Sequence, residues 1–230
     1  MVSFKKVMPF FKKEHLSRPL IKYFYYPIAI FFSTFYISLG FSAHFVNITG
    51  LLASIAAATL IFFLGGNWMI LAGLLVAYAY VMDLCDGTTA RYYERKNAMG
   101  KWLDESAGFI GVSLVFFSLM MRTFLDSGDI WIIVLGFIAI FGYLMMNIAA
   151  ILSEEIRAKF NLSNPAQKMR KKMGRAFFGI KPSLFAFSFD IQWTLVALGV
   201  MFNQPYLLFI IFGLLSNLQW IVRYAIFFGK

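Results

Sequence analysis

At the centre of this chain stands the sequence Asp83-Leu-Cys-Asp86-Gly87-Thr-Thr-Ala90-Arg91, followed after eight residues by Gly100-Lys-Trp-Leu-Asp104-Glu105-Ser-Ala-Gly108. It is the acidic cluster that lies within apolar sequence. Two carboxylates close one hydrophobic run and the next two open another, so burying them costs free energy unless each charge is paired. A bound divalent cation would compensate that cost.

The spacing of the carboxylates favours a metal site. Asp83 and Asp86 are three residues apart, which places them on one face of a helix with roughly 5 to 6 Å between their Cβ atoms. Gly87 leaves room for a ligand or a partner helix to approach the backbone. The short polar connection at residues 91–99 predicts a helical hairpin that returns Asp104 towards the first pair. Hard oxygen ligands of this kind suit Mg²⁺ or Mn²⁺.

This stretch closely resembles the signature of the CDP-alcohol phosphotransferase (CDP-alcohol phosphatidyltransferase) family, Asp-x2-Asp-Gly-x2-Ala-Arg-x8-Gly-x3-Asp-x3-Asp. The matching residues are Asp83, Asp86, Gly87, Ala90, Arg91, Gly100 and Asp104. The final aspartate of the signature is replaced by Gly108. The resemblance implies a homodimeric membrane enzyme with a cavity between its helices that opens to the cytoplasmic leaflet.

The resemblance also implies an activity. Family members transfer a phosphoalcohol group from a CDP-linked donor to an acceptor hydroxyl and release CMP, in phospholipid or related lipid biosynthesis. The implied cofactor is Mg²⁺ or Mn²⁺, as two ions held by Asp83, Asp86 and Asp104. The CDP moiety would be bound by Asp83, Gly87, Ala90, Arg91 and Gly100. The implied partners are the donor, an acceptor alcohol or lipid, membrane lipids and a second copy of the chain, with no nucleic acid.

Gly108 stands where the family has its proposed general base, which is also a metal ligand. A residue four positions after Asp104 lies one turn along the same helix face, but glycine supplies neither function. Glu105 is a substitute base by position. The alternative is that Glu105 faces a loop cation, namely Arg95, Lys96 or Lys101. Other possibilities are a base from His44 or Asp190, or an acceptor that arrives already ionised.

Two functions therefore remain open. The first is an active, metal-dependent transferase with altered base chemistry. The second is a catalytically impaired family member that binds a CDP-alcohol, a lipid or a partner protein without turnover. They make opposite predictions for turnover and similar ones for metal binding.

Composition places the chain in a membrane. Hydrophobic residues make up 60% of the sequence and charged residues only 14%, which is far from the balance of a soluble domain. Each apolar run is near the length of about 20 residues that crosses the hydrocarbon. These runs are residues 23–41, 45–64, 68–86, 101–121, 130–152, 183–202 and 206–228.

The distribution of positive charge decides which runs span. If the last six runs cross the membrane, Arg122 is the one Lys or Arg residue on the outer side. Both termini and the active site then lie in the cytoplasm, as the positive-inside rule requires. A seventh span would export the basic N-terminus, so residues 23–41 are interfacial or partly re-entrant. We expect an all-α polytopic membrane protein with six transmembrane helices, and the short loops favour a prokaryotic plasma membrane.

The predicted domain organisation has an N-terminal segment, residues 1–44, and a membrane domain, residues 45–230. Residues 1–22 interleave Lys and Arg with apolar residues, a pattern typical of an amphipathic helix on an anionic membrane surface. The alternative is a solvated basic tail.

Three further positions carry polar side chains that bear on the function. His44 and Asn47 replace the asparagine and threonine of a family motif that precedes the first span, near the expected donor site. Asp190 is ionisable and lies inside the predicted fifth span, so it is either functional or paired with a neighbouring helix.

Overall fold

The computed structural model describes residues 2–94, 98–160 and 187–228, excluding the side chains of residues 101, 104 and 226–228. The α-helices in these ranges are α1 (Phe4–Val7), α2 (Tyr26–Ser38), α3 (Ala43–Phe63), α4 (Trp68–Tyr92), α5 (Ala98–Ser127), α6 (Ile130–Lys159), α7 (Phe189–Met201) and α8 (Pro205–Phe228). Within the described ranges, α3, α4, α5, α6 and α8 are long and apolar enough to cross a membrane. The prediction of an all-α polytopic membrane protein is therefore confirmed.

The predicted sixth span corresponds to α7, an apolar helix of 13 residues. The first part of that run, residues 183–186, lies outside the described residues, so the count of six spans stays a prediction. Helix α2 is also only 13 residues long. It is shorter than the roughly 20 residues that cross the hydrocarbon, and its interfacial or re-entrant placement likewise stays a prediction.

The N-terminal segment is not the continuous amphipathic helix that its composition suggested. It forms α1, 3₁₀ turns at Met8–Phe10 and His15–Ser17, and a π-helical turn at Ile21–Tyr25 that leads into α2. Pro9 and Pro19 explain the interruptions, because proline lacks an amide N–H and clashes with the preceding turn of a helix. The side chains of Val7 and Phe11 are buried, which also excludes a fully solvated tail.

The described residues of the ranges Met1–Asp129 and Phe189–Pro205 form one compact unit. In this unit α3 packs against α4 and α5, and α4 also contacts α2 and α7. Two glycines allow the helices to approach closely. A Cβ added to Gly50 would lie 3.0 Å from the Cβ of Met82, and one added to Gly111 would lie 2.8 Å from Oγ of Ser54. Helix α3 is thus held against both halves of the signature hairpin.

The described residues of the ranges Ile130–Ser188 and Tyr206–Lys230 form a second compact unit. Helices α6 and α8 meet in it, where Nδ2 of Asn217 donates a hydrogen bond of 3.1 Å to the carbonyl oxygen of Ile138. The rings of Tyr143 and Phe212 pack nearby, with 6.3 Å between their centroids. The signature residues all belong to the first unit, so the candidate site is described there.

Candidate functional site

The carboxylates of the first signature half lie towards the C-terminal end of α4. Asp86 is buried, with 5% of its surface exposed, whereas Asp83 is half-buried. Nδ2 of Asn47 in α3 donates a hydrogen bond of 2.6 Å to Oδ2 of Asp86. Hydrogen bonds to an ionised acceptor are short and strong, so this bond fixes the orientation of the Asp86 carboxylate.

Local sequence places Asn47 at this point. Helix α3 begins after Ser42, whose Oγ accepts a hydrogen bond of 3.2 Å from the amide N–H of Phe45 and so caps the helix. Asn47 follows on the second turn, on the face that packs against α4. His44, one turn earlier, is half-buried.

A small cavity lies between α3, α4, α5 and α7. Its lining residues are Asn47, Gly50, Leu51, Ser54, Ala79, Asp83, Ala107, Gly108 and Trp193. Its volume is about 20 Å³, measured as the space open to the centre of a water molecule. A water needs at least roughly 10 to 15 Å³ on this measure, so the cavity has the dimensions of a water molecule or a small ion.

Two lining residues carry polar atoms that lack a hydrogen-bond partner among the residues that the structure describes. They are Oδ1 of Asn47, an acceptor, and Nε1 of Trp193, a donor. Both side chains are more than nine-tenths buried. Buried polar groups in native proteins are nearly always paired with protein, water or a ligand, so this cavity is suited to a polar occupant.

Gly108 leaves part of this cavity open. Within the described part of the chain, a Cβ added at this position would meet the Cζ atom of Phe189, at 3.7 Å, which is ordinary van der Waals contact. Packing against the described residues therefore does not require a glycine here. An aspartate at this position would bring its carboxylate to the cavity that Asp83 lines.

The residues present fit a divalent cation in their donor chemistry. Asp83 and the Asn47 amide line the cavity, Asp86 is bonded to that amide, and oxygen donors of this kind are what Mg²⁺ and Mn²⁺ prefer. The side chain of Asp104 lies outside the described residues. Over the described part of the chain, no three His, Cys, Asp or Glu residues are grouped to hold a metal. The predicted ligand set of three carboxylates therefore stays a prediction.

The substitute base also stays a prediction. Glu105 is half-buried on α5, and it is not among the described residues that line the cavity. The alternative partners of Glu105 were three cations of the loop. All three side chains, those of residues 95, 96 and 101, lie outside the described part of the structure.

The residues predicted to bind the CDP moiety sit along the same end of the hairpin. Gly87 and Ala90 are half-buried on α4, and Gly100 is half-buried on α5. Arg91 is turned towards the N-terminal segment, where its Nε donates a hydrogen bond of 2.6 Å to the carbonyl oxygen of Phe10. Its guanidinium also lies 3.3 Å from the position that a Cβ on Gly87 would take. The absence of a side chain at Gly87 therefore leaves room for the Arg91 side chain in this conformation.

The sequence left two interpretations of Asp190, a functional residue or one paired with a neighbouring helix, and the structure shows it in an ion pair. It is buried near the start of α7, and Nη1 of Arg18 donates to its Oδ1 at 2.9 Å. The partner comes from the N-terminal segment and not from a membrane helix. The N-terminal segment also contains a histidine with a shifted pKa. Burial, reinforced by the positive charges of Lys12, Arg18 and Arg91, lowers the pKa of His15 to about 4.

Sequence reasoning missed the contact between Asn47 and Asp86 and treated Asn47 only as a departure from a family motif. The two residues are 39 positions apart, and no local spacing rule connects them. One signal could have indicated the contact. Asn47 is a polar residue in a membrane helix, and such side chains commonly form hydrogen bonds with a neighbouring helix.

Comparison with models of protein families identifies the family of this chain. The model of the family described as CDP-alcohol phosphatidyltransferase matches residues 43–227, a range that contains the whole signature and both residues of the Asn47–Asp86 contact. A search of curated proteins found no match.

Proposed function

Because this chain belongs to the CDP-alcohol phosphatidyltransferase family, we propose that it is a membrane transferase that uses Mg²⁺ or Mn²⁺. The family moves a phosphoalcohol group from a CDP-alcohol to an acceptor in lipid synthesis. The reaction proposed here releases CMP, and its site is the cavity between α3, α4, α5 and α7. The observation that carries this proposal is that Asp83 and Gly108, from the two halves of the signature, line one cavity with Asn47.

The proposed division of labour follows from the side chains at the cavity. Asp83, Asp86 and Asp104 would hold two divalent ions. When bound, these ions neutralise the charge that develops on the leaving phosphate. Asn47 holds the Asp86 carboxylate in one orientation through its 2.6 Å hydrogen bond. The residues proposed to bind the CDP moiety are Asp83, Gly87, Ala90, Arg91 and Gly100.

Activation of the acceptor is where this chain differs from the family signature. Gly108 supplies no carboxylate, and Glu105 is the residue that we propose in its place. General-base assistance is typically worth about 10²- to 10⁴-fold in rate. An acceptor whose nucleophilic oxygen is already ionised, such as a phosphate or a carboxylate, would not need this assistance.

The absence of a carboxylate at Gly108 also favours a second candidate function. In this alternative the chain binds a CDP-alcohol, a lipid or a partner protein without turnover. Both candidates place the site and the two termini on the cytoplasmic side, and both retain the proposed homodimer. They differ in whether CMP is released.

The test is CMP release by the purified full chain in detergent, with a panel of CDP-alcohols as donors. Total lipid and polar metabolites supply the acceptors, and Mg²⁺ or Mn²⁺ is compared with EDTA. The original chain is measured beside Gly108→Asp and beside Asp83→Asn as the inactive control. Metal-dependent release by the original chain supports the transferase. Release that appears only with Gly108→Asp supports the binding role, and release that persists in Asp83→Asn contradicts the proposed site.

A further inference from the structure

We infer that Asn47 is part of the ion site: its amide N–H positions Asp86, and its carbonyl oxygen Oδ1 is a neutral ligand to a divalent cation held by Asp83 and Asp86. This inference rests on the proposed function. It adds a ligand from α3, a helix outside the two signature helices, and this ligand lines the same cavity as Gly108.

The first support is the direction of the hydrogen bond. Asn47 uses Nδ2 to reach Oδ2 of Asp86 at 2.6 Å, and both residues are more than nine-tenths buried. The donor of the amide is thereby committed to the carboxylate. The acceptor, Oδ1, is joined to that donor through a single carbon, so it lies beside the same carboxylate.

The second support is that Oδ1 of Asn47 is buried without a hydrogen-bond donor in the described structure. A buried acceptor left without a partner costs about 1 to 3 kcal/mol. Asn47 lines the cavity with Asp83, so an occupant of this cavity is the available partner.

The third support is the chemistry of the occupant. Asp83 lines the cavity, and Asp86 is hydrogen-bonded to Asn47, which also lines it. The amide oxygen of Asn47 therefore adds an electron pair at a site that already contains carboxylate oxygens. A water molecule could satisfy Oδ1, but the proposed function places a divalent cation at Asp83 and Asp86. A hard divalent cation accepts amide and carboxylate oxygens together. Asn47 and Gly108 line the same cavity, so the amide can supply a ligand where the signature aspartate is missing.

The experiment measures Mn²⁺ affinity of the full chain in detergent, from the electron paramagnetic resonance signal of free Mn²⁺. Asn47→Ala is expected to weaken binding about 10- to 100-fold, the range typical when the support of a metal ligand is removed. The matched control is Asn147→Ala. Nδ2 of Asn147 donates to the carbonyl oxygen of Tyr143 on its own helix, and its loss should change Mn²⁺ affinity less than twofold.

A ligand role also predicts rescue. If Asn47 supplies the ligand that Gly108 lacks, adding Gly108→Asp to Asn47→Ala should restore most of the lost Mn²⁺ affinity. A purely structural hydrogen bond predicts no rescue, because a carboxylate at position 108 does not replace a donor to Asp86. Asn47→Ala that binds Mn²⁺ as tightly as the original chain, while Asp83→Asn loses binding, overturns the inference and leaves the proposed ion site standing.

Two other outcomes are separable. If the original chain and Asp83→Asn bind Mn²⁺ equally weakly, the ion site of the proposed function fails and this inference fails with it. If Asn47→Ala does not fold, Asn47→Asp takes its place, since it keeps an oxygen ligand but sets a second negative charge against Asp86. Mn²⁺ should raise the melting temperature of Asn47→Asp more than that of the original chain. An equal or smaller rise overturns the inference.

Discussion

Nη1 of Arg18 lies 2.9 Å from Oδ1 of Asp190, and this ion pair ties the N-terminal segment to α7. The Asp190 side chain is 3% exposed, whereas that of Arg18 is 39% exposed. The pair is therefore buried at its acidic end and reached by solvent at its basic end. Helix α7 also carries Trp193, so the contact anchors a helix that lines the candidate site.

Removing the basic partner should cost more stability than removing the acidic charge. Arg18→Ala leaves a buried carboxylate without this cation, a change that costs about 3 to 5 kcal/mol in fully buried pairs and less here because Arg18 is partly exposed. Asp190→Asn removes the charge together with the need for a partner. We expect the melting temperature in detergent to fall further for Arg18→Ala than for Asp190→Asn.

The chain offers a matched control for this prediction. Arg122 pairs with Asp126 at 2.8 Å, but the Asp126 side chain is 56% exposed. Arg122→Ala should therefore change stability by no more than about 1 kcal/mol. Equal losses for Arg18→Ala and Arg122→Ala would contradict the view that burial of Asp190 sets the cost.

Gly73 and Gly108 should respond in opposite ways to substitution by alanine. A Cβ at Gly73 would lie 2.6 Å from the backbone oxygen of Ala197, so α4 and α7 must separate, which costs about 1 to 3 kcal/mol. Of the residues that the structure describes, a Cβ at Gly108 meets Phe189, at 3.7 Å, and alanine is favoured over glycine in a helix by about 1 kcal/mol. Thermal unfolding should show Gly73→Ala destabilised and Gly108→Ala unchanged or more stable. A destabilised Gly108→Ala would show that position 108 is closed to side chains.

The sequence could predict features that depend on neighbouring residues, but not contacts between residues that are far apart along the chain. Apolar runs identified a membrane protein, and the signature placed Asp83 and Gly108 on two consecutive helices, because these features depend on local patterns. The prediction of one helix for the N-terminal segment was wrong. Amphipathic composition indicates a helix, but it does not include the breaks that Pro9 and Pro19 introduce.

The contacts that complete the site could not be predicted in this way. Asn47 meets Asp86 across 39 residues and Arg18 meets Asp190 across 172. The first pair depends on how closely α3 approaches α4, which is set by side-chain volume at a few positions such as Gly50. The second depends on where the N-terminal segment folds back onto α7. Pattern rules for single helices carry no information on either arrangement.

Stability should depend on pH through His15. Burial, with help from neighbouring cations, lowers the pKa of His15 from 6.5 to about 4 in the folded chain. Between these two values the unfolded state binds more protons than the folded state, so stability is fully present above pH 6.5 and is lost as the pH falls towards 4. The melting temperature should therefore drop more between pH 7.5 and 5 for the original chain than for His15→Gln. Parallel pH profiles would exclude this role of His15.

Asp86→Asn should separate folding from activity. Its side-chain oxygen can still accept the hydrogen bond from Nδ2 of Asn47, so the contact between α3 and α4 is retained and the melting temperature should change little. The charge proposed to hold a divalent ion is lost, however. CMP release should then fall by more than the roughly 10- to 100-fold that is typical when only a ligand's hydrogen-bond partner is altered.

The control for this variant is Asp126→Asn, which removes a carboxylate whose side chain is 56% exposed and whose ion-pair partner is Arg122. It should release CMP at the rate of the original chain. If Asp86→Asn also retains full CMP release, the buried carboxylate of α4 serves only to pair with Asn47. The charge needed for transfer must then come from Asp83 and from residues outside this contact.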